Sequence, residues 1–160
     1  MNQELVIEKV NENNFDELIY LIEKLAEYEK LDPPNEEAKI RLKEHGLGEN
    51  PKYEAFLGKV NGKSVGYVIY FMMYSSFLAL PTLYLEDIFV IKEYRKKSIG
   101  QKMLDFCVKK AKEKKCGRME WCVLNWNTPA LKFYEKNKAT KLEWTFYRFT
   151  QDQINNYPEH

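Results

Sequence analysis

With 160 residues and 19.1 kDa, of which 44% are hydrophobic and 14% aromatic, the chain holds enough apolar material for one packed domain spanning 1–160, and too much for a disordered polymer. Its 25 Lys and Arg against 24 Asp and Glu leave a net charge of +1, so no global field recruits nucleic acid or an anionic membrane, and any charge preference has to be local. Cys107, Cys116 and Cys122 are odd in number and lack metal-site spacing, and the opening MNQELVIE lacks a signal-peptide pattern, so the expectation is a reducing, cytoplasmic setting with no metal.

In chain order, residues 5–10 read as a strand. Asn14 and Glu17 mark a helix start, and Leu18, Leu21, Ile22, Leu25 and Ala26 keep one face apolar until Glu29. Pro33 and Pro34 break that helix, and Asn35 caps a second through Glu44, ended by Gly46. The 22 uncharged residues 64–85 are long enough to span a membrane, but Ser75, Ser76 and Pro81 interrupt them and Asn61-Gly62 precedes them as a hairpin turn. Strands over 53–60, 65–74 and 82–90 fit better. From Ser98 a helix keeps Met103, Leu104, Cys107, Val108 and Ala111 inward and stops at Gly117 in the C′ place. Residues 118–124 alternate as a strand, Thr128-Pro129 opens a last helix, and 144–149 closes the chain as a strand. The order β-α-α-β-β-β-α-β-α-β describes an α/β domain with a mixed sheet and helices on its faces.

Chemistry concentrates in residues 84–106. Two adjacent carboxylates, Glu86 and Asp87, interrupt an apolar strand, and a buried carboxylate needs a partner or a function. Neighbours on a strand face opposite ways, which gives Glu86 the substrate side and leaves Asp87 structural. Arg95, Lys96 and Lys97 then bring positive charge to a turn that becomes the first turn of a helix, where unpaired N–H groups and the helix dipole favour phosphate. Gly100 lets a ligand approach the backbone.

The turn from Arg95 through Lys96, Lys97, Ser98 and Ile99 to Gly100 resembles the acetyl-CoA pyrophosphate loop of the GNAT N-acetyltransferases. Their pattern is Arg or Gln, two free positions, Gly, one free position, then Gly or Ala; Ser98 stands at the first Gly, where a serine could act as an N-cap. LAEYE ending at Glu29, YLEDIFV ending at Val90 and WNTPALKFYE ending at Glu135 extend the likeness to the diamine acetyltransferases, the spermidine/spermine and thialysine enzymes.

That resemblance implies a mixed, mostly antiparallel sheet flanked by helices, with strands splayed at an acetyl-CoA site and no metal. It also implies that Ile88, Phe89 and Val90 pair with the pantetheine arm. Arg95, Lys96, Lys97, Ser98, Ile99, Gly100 and Gln101 would hold the pyrophosphate, and Asn127, Thr128, Pro129 and Ala130 would contact the departing CoA. Tyr134 would be the general acid at the cofactor. Tyr28, Glu29 and Glu86, with Glu120, Trp121 and Cys122, would face a small-molecule amine. A homodimer is implied as well. Ser75, Ser76 and Phe77 resemble the thialysine enzyme more than the polyamine enzyme, whose segment is acidic there, and Lys138 replaces a Gly common after the catalytic tyrosine. A short or lysine-like amine is therefore favoured over spermine, with protein lysine or N-terminal acetylation and a non-catalytic acyl-CoA-binding module as the alternatives.

Overall fold

The computed structural model describes residues 4–159, which divide into two compact units between Cys122 and Val123. The first unit is built on a five-stranded sheet in chain order: β1 (Leu5–Lys9), β2 (Glu54–Val60), β3 (Lys63–Ser75), β4 (Leu80–Val90) and β5 (Arg118–Glu120). The first four strands are antiparallel, and β5 joins β4 in parallel. Helices α1 (Phe15–Glu29), α2 (Glu36–Leu47) and α3 (Ile99–Glu113) complete the unit. Residues 64–85 thus lie in β3, its turn and β4, and no helix among the described residues is long and apolar enough to cross a membrane.

Alternation explains the two-sided core. Val65 to Tyr70 are all buried because β3 is covered on both faces. On one face, Gly58 and Gly66 leave room for Met103 of α3, whose sulfur would stand 3.1 and 3.2 Å from a Cβ at those positions. On the other, Tyr67 packs on Phe89, which in turn meets Tyr28 of α1. The turn between β2 and β3 has Asn61 at φ 51° and Gly62 at φ 77°, the pair of left-handed residues that a tight hairpin of this hand requires.

Several boundaries differ from the sequence reading, each for a local reason. Asn14 makes no side-chain cap to α1, because its amide is committed to Asn11, Glu8 and the Lys9 carbonyl, while Glu17 is bound to Lys59 and Ser64. The second helix runs on to Leu47, through Gly46, whose missing side chain makes room for the Tyr53 ring. Helix α3 ends at Glu113, and beyond its cap Lys114 the chain turns at Lys115, φ 53°, with the Cys116 amide bonded to the Ala111 carbonyl, so the left-handed residue is Lys115 and not Gly117. Gly117 instead lets Leu78 and Leu80 pack close. Val108 points outward, 40% exposed, in contrast to Met103, Leu104 and Cys107.

The second unit contains α4 (Thr128–Lys136) and α5 (Gln151–Asn155), the latter opened by a capping box between Thr150 and Gln153. The strand expected over 144–149 is not formed. An aromatic-rich run suits a strand, but a strand needs a ladder, and none among the described residues pairs with these; Trp144, Phe146, Tyr147 and Phe149 are exposed.

Candidate active site

The carboxyl half of β4 differs from a regular strand on both of its edges. Toward β3, Asp87 pairs with Ile69 and Leu85 with Tyr70, so Glu86 is one residue too many and forms a β-bulge. Toward β5, pairing stops at Tyr84 with Glu120, because a bulge bends and twists the strand that carries it; β5 is correspondingly shorter than the expected 118–124. Ile88, Phe89 and Val90 keep their β3 partners Val68, Tyr67 and Gly66 and, among the described residues, have no ladder on the β5 side. That edge can offer main-chain hydrogen bonds to an extended ligand. The Phe89 ring is buried, 6.5 Å from Tyr28 and 6.2 Å from Tyr67, so Phe89 can meet a ligand only through its backbone.

After β4 the chain makes one 3-10 turn, Lys92–Tyr94, and reaches α3 through two non-glycine residues in the left-handed region, Lys96 at φ 59° and Ser98 at φ 60°. Ser98 makes no side-chain cap, contrary to the sequence expectation, because a capping side chain needs an extended backbone to reach back to the first-turn N–H groups. Above Gly100 there is open space, with nothing within 4 Å of a Cβ placed there. A positive-φ turn leading into a helix N-terminus, with an open approach and exposed Lys96 and Lys97, fits a pyrophosphate. The Lys97 ammonium lies 4.9 Å from the Tyr94 ring, and Gln101 donates to Asp105 at 2.9 Å. Arg95 behaves differently. Its Nε donates to the Val90 carbonyl at 2.8 Å, and its guanidinium stacks 4.5 Å from the Tyr28 ring and 5.5 Å from Phe89.

The carboxylates separate by environment. Glu86 is exposed, whereas Asp87 is partly buried and accepts a hydrogen bond from the Tyr67 hydroxyl at 3.1 Å. Burial, with the negative charges of Glu86 and then Glu29 adding to it, pushes Asp87 up to about 7 against the pull of the Tyr67 bond; the buried Tyr67 phenol is itself driven well above its ordinary value. Glu29 closes α1, where Lys30 at φ 58° forms the left-handed cap, and burial raises its pKa too. Asp87 was read from sequence as structural, yet it holds the perturbed acid of the strand. Its place beside Glu86 was visible; the contributions of Tyr67 and Glu29 come from other elements.

The remaining residues of the sequence reading fall into two groups. Glu120 is held by Arg118 at 3.4 Å, Trp121 packs against the core, and exposed Cys122 accepts a hydrogen bond from Tyr84 at 3.2 Å, so these meet β4 at Tyr84, ahead of the bulge. In the second unit, Asn127 caps α4 by accepting from the Ala130 amide at 3.3 Å, with Thr128 and Pro129 in the first turn. Tyr134 stands edge-on to Phe133 at 5.2 Å, and its carbonyl accepts from the Ala139 amide at 3.1 Å. Lys138 is left-handed, φ 59°, which is why a glycine suits that place. Among the described residues no cluster of three or more His, Cys, Asp and Glu could hold a metal ion.

Comparison with known proteins gives this arrangement a family. Residues 16–138 match the acetyltransferase (GNAT) family. An L-ornithine N5-acetyltransferase from Arabidopsis thaliana is 41% identical over 109 residues, covering 66% of this chain but only 48% of that protein. A thialysine N-epsilon-acetyltransferase from Sus scrofa is 31% identical over 157 residues, covering 91% of this chain and 92% of that one. The solved structure of an aminoglycoside N-acetyltransferase in complex with CoA superposes with a TM-score of 0.78 at 16% identity, covering 94% of this chain and 97% of that one. The chain belongs to the GNAT acetyltransferase family and is an N-acetyltransferase.

Proposed function

We propose that this enzyme transfers an acetyl group directly from acetyl-CoA to the primary amine of a short diamine or a lysine-like amino acid. The observation that carries the acceptor class is the set of carboxyls Glu29, Glu86 and Asp87 around the bulged end of β4, a negative environment for a compact ammonium ion. The relatives named for thialysine and ornithine, both amino acids with a side-chain amine, support it. So do Ser75, Ser76 and Phe77, which lack the acidic character expected of a polyamine site.

Acetyl-CoA supplies the acetyl group as a thioester. In our reading the unpaired edge formed by Ile88, Phe89 and Val90 holds the pantetheine arm, residues 96–101 receive the pyrophosphate, and 127–130 contact CoA. A side-chain amine with a pKa of about 10.4 is protonated at neutral pH and cannot attack until it loses a proton. Glu86, exposed beside the site, attracts the cation and accepts that proton through a water. The N–C bond then forms as the C–S bond breaks, and the backbone N–H near Phe89 stabilises the oxygen that gains charge. The departing thiolate takes a proton from the Tyr134 hydroxyl, and the second proton that the acylated nitrogen sheds on becoming an amide returns through solvent to the Tyr134 phenolate. Tyr28 and Glu29, with residues 120–122, complete the acceptor side.

A panel of ornithine, thialysine, lysine, short diamines, spermidine and spermine, scored by CoA release, tests the assignment. The highest kcat/KM should fall on a basic amino acid or short diamine. Preference for spermine would reject the acceptor class, and inactivity on every small amine with acetylation of a peptide lysine would favour a protein acetyltransferase.

A further inference from the structure

Arg95 occupies the first position of the phosphate-loop pattern, and sequence alone places it among the cofactor ligands. Its surroundings say otherwise. The guanidinium uses Nε on the carbonyl of Val90, the last residue of β4, and its central carbon lies over two rings, 4.5 Å from the Tyr28 centroid and 5.5 Å from that of Phe89. Arg95 is partly buried where Lys96 and Lys97 are exposed. The three groups it touches belong to different parts of the site: Phe89 and Val90 to the cofactor strand, Tyr28 to the last turn of α1, one residue before Glu29.

Building on the proposed function, we propose that Arg95 is a positioning residue for the acceptor side of the site and not a phosphate ligand. A helix that ends on a carboxylate, with no basic residue in its last turn, is poorly served by its own dipole. The cationic plane on Tyr28 fixes that last turn against β4 by a cation–π contact, and the Nε bond fixes the plane. Glu29 thereby keeps its distance from Asp87 and Glu86, and the three carboxyls remain one environment for the ammonium ion. Lysine cannot substitute, since it has neither the plane nor the Nε donor.

Arg95→Gln and Arg95→Lys are measured for CoA Kd by titration calorimetry, for KM and kcat with the best acceptor at saturating acetyl-CoA, and for Tm. The expected result is an acceptor KM raised about tenfold in both variants, the size of one cation–π contact with one charge-assisted hydrogen bond, while CoA Kd stays within about threefold of wild type. A phosphate ligand gives the opposite pattern: CoA Kd rises tenfold or more in Arg95→Gln, and Arg95→Lys is spared. That pattern overturns the proposal, as does a lowered Tm with KM and Kd both unchanged, which would make the contact purely structural. Binding of CoA by the wild-type protein in the same titration tests the acetyl-CoA reading separately.

Discussion

Replacing Asp87 by Asn should stabilise the protein, and the gain should grow with pH. Asn keeps an oxygen for the Tyr67 hydroxyl and removes a charge that is partly buried next to Glu86 and Glu29. The folded-state pKa is raised, so Asp87 favours the folded state when protonated; that contribution is complete below the unfolded value, 3.8, and is lost as pH rises to about 7. Moving a carboxyl from 3.8 to about 7 corresponds to about 4 kcal/mol at about 1.4 kcal/mol per pH unit, an upper figure for a partly buried group. The variant should therefore gain about 2–4 kcal/mol at pH 8 and roughly half as much or less at pH 5. Urea unfolding of both proteins from pH 5 to pH 9 measures the difference. A gain that does not change with pH, or a loss at every pH, would refute the reasoning, because it would mean that Asp87 is ionised in both states or that its charge is compensated. The same titration should appear in function: acceptor KM should fall as pH rises through 7, when Asp87 becomes an anion.

Ser98→Gly should raise stability by about 1 kcal/mol, measured as Cm in urea, and keep or tighten CoA binding, since it relieves a left-handed residue and removes no cap. Gly100→Glu should leave Tm near wild type, given the open space over that residue, yet abolish the thermal shift caused by CoA. Tyr134→Phe should lower kcat by roughly 10²–10⁴-fold with CoA Kd unchanged, whereas Glu86→Gln should also raise acceptor KM; near wild-type kcat in Tyr134→Phe, with chemistry rate-limiting, would remove the acid role. Gly66→Ala, whose methyl would lie 2.5 Å from the Phe89 carbonyl, should cost about 1–3 kcal/mol in urea unfolding and weaken CoA binding by disturbing β4.

Where sequence and structure agree, the signal was local. Asn61-Gly62 announces its hairpin, and Leu18, Leu21 and Ala26 define the buried face of α1. The turn into α3 was legible because lysines, a glycine and a helix start are contiguous. Failures came where a second element decides. The strand reading of 144–149 could not reveal that no ladder partner exists among the described residues, and Gly117 looked like a helix stop although Lys115 takes the left-handed conformation. The direction of Arg95 and the acidity of Asp87 depend on Tyr28, Tyr67 and Glu29, which only the sheet and α1 bring alongside them.

The one-residue excess at Glu86 also bears on how such an enzyme can change its acceptor. A regular strand position carries two obligations, a ladder partner and a packing face, so most replacements there are paid for in stability. Glu86 is exposed and is the extra residue of the bulge, so its side chain is answerable to neither. Its neighbour Asp87 is tied through Tyr67 to the centre of the sheet. Tolerance and constraint thus stand side by side on one strand: the fold leaves position 86 to be set by the proposed acceptor and the proton it must shed, while position 87 is held by the sheet, which separates the demands of the chemistry from the maintenance of the fold.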